Sequence, residues 1–356
     1  MNRARRLLQV LHRWGGLIAG AYLLLVTLTG ATLLFRIDIQ RALDPRLFDA
    51  GKGPLADPVE VFARLAETYP DSHIAGMDAP TTRRPTTLAY VEKNDRFLTV
   101  LIDPVTARVL GELPQRPVIR QLHALHFNLT MGRTGRLVNG IGALVLTGLG
   151  VTGLVLWWRG RRHWRQGLSI RRGTRTAIFH RDLHSAVGIW TSLALLMWGV
   201  TGAAFVFPTT FTNAIGWFSP VGEAQPPSVQ PLAGKDQAPL ATQIAAATRQ
   251  RPDKTVARVL LPGHPSVPLQ VMFARQSPAR IGESLETLYV DPWSATVLRP
   301  GIPRSAGDRF WDAFSTLHTG AFGGLGVRLT WLLFALTPSV LLASGFTTWW
   351  LRAFRN

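Results

Sequence analysis

The sequence predicts an α-helical membrane protein whose four transmembrane helices form two duplicated units, each with a small α+β extracytoplasmic domain. Two observations predict this fold class. Four apolar blocks, at residues 15–35, 137–158, 186–207 and 327–351, are each close to the ~20 residues that a helix needs to cross ~30 Å of hydrocarbon. The motifs around the first two blocks also recur around the last two, which indicates an internal duplication.

The first apolar block overlaps the motif "LHRWGGLIAG" and is too long for the apolar part of a cleavable signal peptide. We therefore interpret it as a retained membrane anchor. Its motifs, "LHRWGGLIAG" and "LTGATLLF", return around the third block as "LHSAVGIWTS" and "VTGAAFVF". This alignment places His184 172 residues after His12.

The second and fourth apolar blocks are related in the same way. Around the second block stand "LHFNLTMGRTGR" and "TGLVLWW", which match "LHTGAFGGLGVR" and "SGFTTWW" around the fourth. His318 follows His126 by 192 residues, and Arg328 follows Arg136 by the same number. Because each copy contains two spans, both copies share one orientation, and a pseudo-two-fold axis along the membrane normal is predicted.

Basic residues indicate how the chain is oriented. The net charge is +18, and arginines are concentrated at the N-terminus, in the central loop and at the C-terminus. Lys and Arg near span ends are retained in the cytoplasm, so both termini and the central loop are predicted to be cytoplasmic. The arginines flank spans rather than an aromatic surface, which argues against nucleic acid as a partner and favours the lipid bilayer.

These features divide the chain into eight predicted segments. They are the cytoplasmic N-terminus with the first span (1–36), the first periplasmic domain (37–136), the second span (137–158), the basic cytoplasmic loop (159–185), the third span (186–207), the second periplasmic domain (208–326), the fourth span (327–351) and the cytoplasmic C-terminus (352–356).

Both external domains are predicted to mix helices with strands. Residues alternate between apolar and polar around an Asp-Pro turn at 96–113 and 283–300, which is typical of β-hairpins. Amphipathic helices are predicted before these hairpins, at 59–70 and 240–252.

Four histidines recur in register at the span edges. His12 and His184 precede the first and third spans, so both are predicted at the cytoplasmic face, whereas His126 and His318 precede the second and fourth spans at the external face. A pseudo-two-fold axis along the membrane normal brings the members of each pair together at one depth. We therefore predict two bis-histidine sites, one at each membrane face.

The residue types favour heme iron as the ligand of these sites. Neutral imidazole is a common axial ligand to heme, whereas zinc requires a third protein ligand. The chain has no cysteine, which excludes iron–sulfur clusters held by thiolates. Two b hemes are therefore predicted, with the paired histidines as axial ligands to the iron.

Other residues near these sites leave alternatives open. His180 lies four residues before His184, and His123 lies three residues before His126, so each is a substitute ligand that the repeat alignment disfavours. Arg136 and Arg328 are predicted to lie beside the external heme and to supply positive charge there. These two arginines are candidates for attracting an anionic ligand.

The four motifs, together with "DPVTARVL" at 103–110 and "DPWSATVL" at 291–298, resemble the PepSY-associated transmembrane proteins of bacterial inner membranes. The resemblance covers nearly the whole chain. It implies an inner-membrane ferric-siderophore reductase with two b hemes, which passes electrons outward to reduce Fe(III) in its chelate. The chain departs from the pattern at Ala107 and Ala295, where many relatives have glycine.

Three classes of function follow from these observations. The favoured one is an oxidoreductase that reduces a ferric chelate with electrons from a separate donor, since the chain has no glycine-rich nucleotide loop. The alternative is a non-enzymatic regulator whose PepSY-like domains bind a partner, which leaves the four aligned histidines unexplained. A transporter is disfavoured because the predicted spans contain no acidic residue. The siderophore, the donor and the oligomeric state stay open.

Overall fold

The computed structural model describes residues 3–81, 83–94, 96–114, 116–158, 164–171, 173–222, 227–232, 234–274, 285–299 and 305–354. The chain divides into two compact units. The helical unit contains Met1–Phe35, Arg116–Phe218 and Trp311–Asn356. The sheet unit contains Arg36–Gln115 and Ser219–Phe310.

The described helices are, in chain order, α1 (Arg3–Leu33), α2 (Arg36–Leu43), α3 (Pro58–Thr68), α4 (Pro117–Asn128), α5 (Gly132–Trp157), α6 (Thr176–Val206), α7 (Pro208–Gly216), α8 (Leu240–Gln250), α9 (Ala306–Thr319) and α10 (Leu325–Phe354). The described strands are β1 (His73–Asp78), β2 (Thr87–Lys93), β3 (Arg96–Ile102), β4 (Val109–Glu112), β5 (Thr255–Leu260), β6 (Leu269–Ala274), β7 (Glu286–Val290) and β8 (Val297–Arg299).

Four helices, α1, α5, α6 and α10, are long and apolar enough to cross a membrane by their length and composition. Helix α1 packs against α5 and α10, and α6 packs against the same two helices. This arrangement is a four-helix bundle in which α1 and α6 lie diagonally opposite one another. The four candidate spans predicted from the sequence are therefore confirmed as apolar helices.

These helices extend beyond the predicted apolar blocks. Helix α6 starts at Thr176, so His184, which was predicted to precede the third span, lies within the helix itself. The helix tolerates charge in this region because Asp182, which is buried, binds Arg171 at 2.7 Å and Arg181 at 3.2 Å. His126 and His318 instead lie on the separate short helices α4 and α9.

The sheet unit is built around one antiparallel sheet with strand order β4-β3-β2-β1-β5-β6-β7-β8. The predicted hairpins are confirmed as β3–β4 and β7–β8. The predicted amphipathic helices are confirmed as α3 and α8, which bury Val61, Leu65 and Ile244 in the core of the sheet unit.

The sequence predicts one small domain in each half of the chain, whereas the structure joins both halves in a single sheet. The connection is the antiparallel pair β1–β5, in which Met77 lies opposite Val259. In two separate four-stranded sheets, β1 and β5 would each be an edge strand with unpaired backbone groups. Pairing β1 with β5 satisfies these groups and leaves only β4 and β8 at the edges of the described sheet. The periodicity of a strand does not indicate which partner covers its edge.

Ala107 and Ala295 occupy equivalent turns of the two hairpins. Their φ angles are 53° and 54°, in the left-handed region. An L-residue in this conformation costs roughly 1–2 kcal/mol, a cost that glycine avoids. The structure therefore gives a physical reason for the glycine that the resemblance led us to expect at both positions.

Asp103 organises the first of these turns. Its buried carboxylate accepts hydrogen bonds from the backbone N–H groups of Gly51 at 2.8 Å and of Val105 and Thr106 at 2.9 Å. Burial of the carboxyl group opposes its ionisation, but the hydrogen bonds outweigh burial and hold the pKa of Asp103 below its ordinary value. The turn is therefore more stable with Asp103 ionised.

We expect Asp103→Asn to lower the free energy of unfolding of the sheet unit by roughly 1–3 kcal/mol at neutral pH. The asparagine side chain has one acceptor oxygen in place of two and carries no charge, so it cannot accept all three backbone hydrogen bonds. A depressed pKa adds stability above the unfolded value of about 4, and this stability is lost as the pH falls through the folded pKa. The difference between wild type and variant should therefore narrow below about pH 4.

Urea unfolding of the full chain in detergent, followed by circular dichroism at several pH values, measures this difference. Asp291→Asn is the matched control in the second turn, where the carboxylate accepts from the Trp293 N–H and the Ser294 hydroxyl. It should cost less than Asp103→Asn. A difference for Asp103→Asn that stays constant between pH 7 and pH 3 would contradict the role of the ionised carboxylate.

Candidate functional site

The four histidines that the repeat aligns form two pairs in the helical unit. His12 on α1 and His184 on α6 have ring centroids 6.1 Å apart, and we call them the first histidine pair. His126 on α4 and His318 on α9 have ring centroids 6.2 Å apart, and we call them the second histidine pair. The structure therefore brings together the residues that the sequence predicted to meet.

The first histidine pair is held by contacts to α5 and α10. His12 Nδ1 lies 2.9 Å from the Thr152 hydroxyl oxygen, and His184 Nδ1 lies 3.0 Å from the Leu341 carbonyl oxygen. The Thr152 hydroxyl already donates its proton to the Gly148 carbonyl at 2.7 Å. Thr152 must therefore accept a hydrogen bond from His12, just as Leu341 accepts one from His184.

The second histidine pair is held in the same way by α1 and α6. His126 Nδ1 lies 2.9 Å from the Val26 carbonyl oxygen, and His318 Nδ1 lies 2.8 Å from the Thr201 hydroxyl oxygen. The Thr201 hydroxyl donates to the Met197 carbonyl at 2.7 Å, so it too accepts from the imidazole. Both imidazoles therefore donate a hydrogen bond from Nδ1–H.

These hydrogen bonds define one tautomer for all four histidines. With the proton on Nδ1, the lone pair on Nε2 is available to bind a metal ion. Metal-bound histidines commonly donate their other ring N–H to a carbonyl or hydroxyl oxygen, which fixes the orientation of the ring. The four imidazoles are thus prepared as metal ligands by the backbone and hydroxyl groups around them.

A hydroxyl residue followed by glycine lies beside each histidine. The four dipeptides are Thr29-Gly30 at His126, Thr152-Gly153 at His12, Thr201-Gly202 at His318 and Ser344-Gly345 at His184. In each, the hydroxyl oxygen lies within 3.4 Å of the imidazole Nδ1.

The glycines let the imidazoles approach the helix backbones closely. A Cβ atom on Gly30 would lie 2.8 Å from His126 Cε1, and one on Gly153 or Gly345 would lie 3.3 Å from the Cε1 of its histidine. At Gly202 the corresponding distance to His318 is 4.0 Å. The tightest of these approaches is therefore at Gly30, where any side chain displaces the ring.

The hydroxyl groups were missed in the sequence analysis, although their positions carry a signal. Thr29 and Thr201 align between the repeats, as do Thr152 and Ser344, and each directly precedes an aligned glycine. A hydroxyl kept before each of these glycines indicates a hydrogen-bond acceptor for a buried donor.

The two pairs lie at opposite ends of the bundle. On α1, His12 belongs to the first pair, while the segment from Val26 to Gly30 contacts the second pair. At 1.5 Å per residue these positions are roughly 24 Å apart along the helix axis, compared with about 30 Å for the hydrocarbon core. One pair therefore fits near each membrane face.

The two alternative histidines occupy different surroundings. The exposed ring of His123 stacks on Phe127 with centroids 5.8 Å apart, and His180 contacts the ring of Phe179 at 5.4 Å. The Nδ1 atom of His180 is buried without a hydrogen-bond partner in the described part of the chain. Neither residue replaces a member of the two pairs in this structure.

Arg136 and Arg328, which the repeat aligns, contact residues at or just beyond the ends of α6 and α1. Arg136 donates from Nη2 to the Phe205 carbonyl of α6 at 2.7 Å, and its guanidinium lies 5.2 Å from the Phe127 ring centroid. The Phe205 ring contacts His318 at 5.2 Å. Arg328 is buried and lies 5.4 Å from the ring centroid of Phe35, beyond the end of α1. A single residue, Phe205, therefore connects Arg136 to the second histidine pair.

The fold and these sites define a multi-pass membrane protein with a histidine pair at each end of its helix bundle. The chain belongs to the family described as the PepSY-associated TM region, which matches residues 9–352. It is also similar to uncharacterized protein PA4219 of Pseudomonas aeruginosa, with 38% identity over 90 residues. That match covers 24% of this chain and 21% of the length of the relative.

Proposed function

We propose that this protein is a di-heme electron-transfer protein of the bacterial inner membrane that reduces a ferric siderophore on the periplasmic side and releases Fe(II). The observation that supports it best is the close pair of imidazoles at each end of the bundle, each with its Nδ1 hydrogen-bonded to a carbonyl or hydroxyl oxygen. With the proton on Nδ1, the Nε2 of each ring carries the lone pair that would hold heme iron.

The separation of the imidazoles is compatible with one metal ion held by both rings. Their centroids lie 6.1 Å and 6.2 Å apart, with the ring planes inclined at 90° and 61°. Metal–nitrogen bonds are about 2.0 Å long, so two rings at this distance are close enough to share one ion. Within the described residues no cluster of three or more His, Cys, Asp or Glu side chains fits a metal ion. A metal that brings its own macrocyclic ligands matches this two-ligand set better than zinc does.

The residues of the chain hold and orient the cofactor, while heme, when bound, supplies a one-electron carrier at each end of the bundle. His12 and His184 are the proposed axial ligands of one heme, and His126 and His318 those of the other. The hydroxyl and carbonyl acceptors keep the four rings in a single tautomer, which raises their basicity as ligands.

The structure also supports the duplication of the chain. Register shifts in the sheet occur at Ile74/Gly76 of β1 and at Val256/Arg258 of β5, 182 residues later. They recur at Leu101/Ile102 of β3 and at Tyr289/Val290 of β7, 188 residues later. Met77 pairs with Val259, which is its own counterpart in the second repeat, as a two-fold axis between β1 and β5 requires. β-Bulges are conserved within families, so bulges at equivalent positions of the two halves favour a duplication.

We place the first histidine pair at the cytoplasmic face and the second at the periplasmic face. The basic N-terminus, central loop and C-terminus support this orientation, because positive residues near span ends are retained in the cytoplasm. Electrons from a cytoplasmic or membrane-bound donor would then enter at the first pair and leave from the second.

The acceptor we propose is an Fe(III) chelate with oxygen ligands. Fe(III) is a hard ion, and adding one electron gives Fe(II), which oxygen-rich chelators hold less tightly. No covalent bond has to break in this step. Arg136 lies near the second pair, and its Nε is buried without a hydrogen-bond partner among the described residues, so it can supply positive charge to an anionic ligand.

Vesicles of defined orientation test this function. Pre-reduced protein in right-side-out vesicles should convert an impermeant ferric siderophore to Fe(II), trapped by ferrozine, with one Fe(II) formed for each heme electron lost. Inverted vesicles should form almost none. The matched control is the His126→Ala/His318→Ala variant, which lacks the second pair and should also form none.

Three outcomes would overturn the proposal. Oxidation of the protein at equal rates in both vesicle orientations would contradict transfer toward the periplasm. Oxidation without trapped Fe(II) would show that the electron goes to another acceptor. A protein that binds no heme at all would favour the regulatory alternative, in which the sheet unit binds a partner.

A further inference from the structure

Helix α7 continues an unusually long uncharged segment. Residues 183–222 contain no Asp, Glu, Lys or Arg, although about 20 residues suffice to cross the hydrocarbon core. Helix α6 ends at Val206, and α7 begins at Pro208 as a separate helix. Proline at the first position of a helix is favourable, so the break between α6 and α7 is built into the sequence.

The corresponding helix of the first repeat has a different character. Helix α2 follows α1 as α7 follows α6, but it carries Arg36, Asp38 and Arg41 within eight residues. Its charges suit water or lipid headgroups, whereas α7 carries no charged side chain, and its exposed polar residues Thr209, Thr210 and Asn213 suit the depth of the lipid headgroups. The two helices occupy equivalent places in the duplication and are therefore expected to meet different surroundings.

Helix α7 packs against a neighbouring helix, whereas the two residues that follow it are exposed. Phe211 contacts Phe314 of α9 with ring centroids 6.3 Å apart, and Phe314 in turn contacts Trp311 at 5.6 Å. Just past the end of α7, Trp217 and Phe218 are 82% and 89% exposed. Helix α7 is thus attached to the helix that carries His318, with two adjacent aromatic side chains projecting away.

We propose that α7 is an interfacial anchor, with Trp217 and Phe218 inserted between the headgroups and acyl chains of the leaflet at the carboxyl end of α6. Aromatic residues concentrate at this depth of the bilayer. The anchor holds α9, and with it His318, at a fixed depth. The inference does not depend on whether heme is bound.

The area of the patch favours lipid over a protein partner. Two aromatic side chains bury about 150–250 Å² each. A specific protein interface needs about 800 Å² from each partner. The direct connection of α7 to a membrane span and the lack of charge over residues 183–222 also place this patch next to lipid.

Spin-label depth measurements test the anchor in the full chain. The sequence has no cysteine, so Phe218→Cys and Trp217→Cys each give one labelling site. In lipid vesicles both labels should collide more often with oxygen, which concentrates in lipid, than with a water-soluble nickel chelate. Leu43→Cys at the end of α2, where Leu43 is 51% exposed, is the matched control and should show the opposite order.

Either of two results would overturn the proposal. A label at either 217 or 218 that collides mainly with the nickel chelate would place that position in water and contradict the anchor. Dipolar broadening between labels that increases as the protein-to-lipid ratio rises would assign the patch to a second copy of the chain instead. Because the two positions are tested separately, failure of one variant to fold leaves the other as the test.

Discussion

Replacing His12 or His184 with alanine is expected to remove one of the two hemes and leave the other in place. Replacing His126 or His318 should remove the complementary heme. Each pair is proposed to hold one heme, and the pairs are roughly 24 Å apart along the bundle, so the loss of one site should not disturb the other. The ratio of heme to protein, measured as the pyridine hemochrome, should fall by half in each single variant.

The neighbouring histidines provide the controls for this prediction. His180→Ala and His123→Ala should retain both hemes, because the rings of these residues contact Phe179 and Phe127 rather than a paired imidazole. Loss of a heme from either control, with no loss from its neighbour, would show that the repeat alignment selected the wrong ligand. Retention of both hemes in all four single variants would refute the ligand assignment.

Gly30→Ala is expected to weaken heme binding at the second pair by roughly 10-fold or more, the size of effect seen when support around a metal ligand is lost. The new Cβ would lie 2.8 Å from His126 Cε1, where ordinary contacts begin at 3.4 Å. The ring cannot retreat without lengthening its 2.9 Å hydrogen bond to the Val26 carbonyl or turning away from His318.

Heme retention during dilution, followed at the Soret band, measures this effect. Gly148→Ala on α5 is the matched control, because a Cβ added at this glycine would have no heavy atom within 4 Å outside its own helix turn. It should retain both hemes, and Gly30→Ala should retain the heme at the first pair. Equal retention at the second pair in the two variants would show that the close approach at Gly30 has no part in holding the cofactor.

The sequence was sufficient to predict which histidines meet, because its repeated motifs align residues that are far apart in the chain. His12 and His184 are equivalent by this alignment, and the predicted two-fold axis would place equivalent residues at one depth. The same reasoning did not reveal the acceptors of their Nδ1 protons. The Val26 and Leu341 carbonyls that bind His126 and His184 are backbone atoms, whose use no side-chain pattern indicates.

Two other features depended on tertiary contacts that periodicity does not contain. Pairing of β1 with β5 joins the halves of the sheet, yet the sequence of neither strand indicates the other as its partner. Helix α6 begins at Thr176, where Asp182 is paired with Arg171 and Arg181, whereas hydropathy alone starts the span at residue 186. In both cases contacts between side chains or strands, which hydropathy and periodicity do not contain, accompany the observed structure.

The visible absorption spectrum of the purified protein tests the central claim most directly. We expect a Soret band in the oxidised protein, sharp α bands after reduction with dithionite, and two b hemes per chain, with the low-spin character that two axial imidazoles impose. A protein purified from heme-replete cells that shows no Soret band, and gains none when hemin is added, would contradict the account.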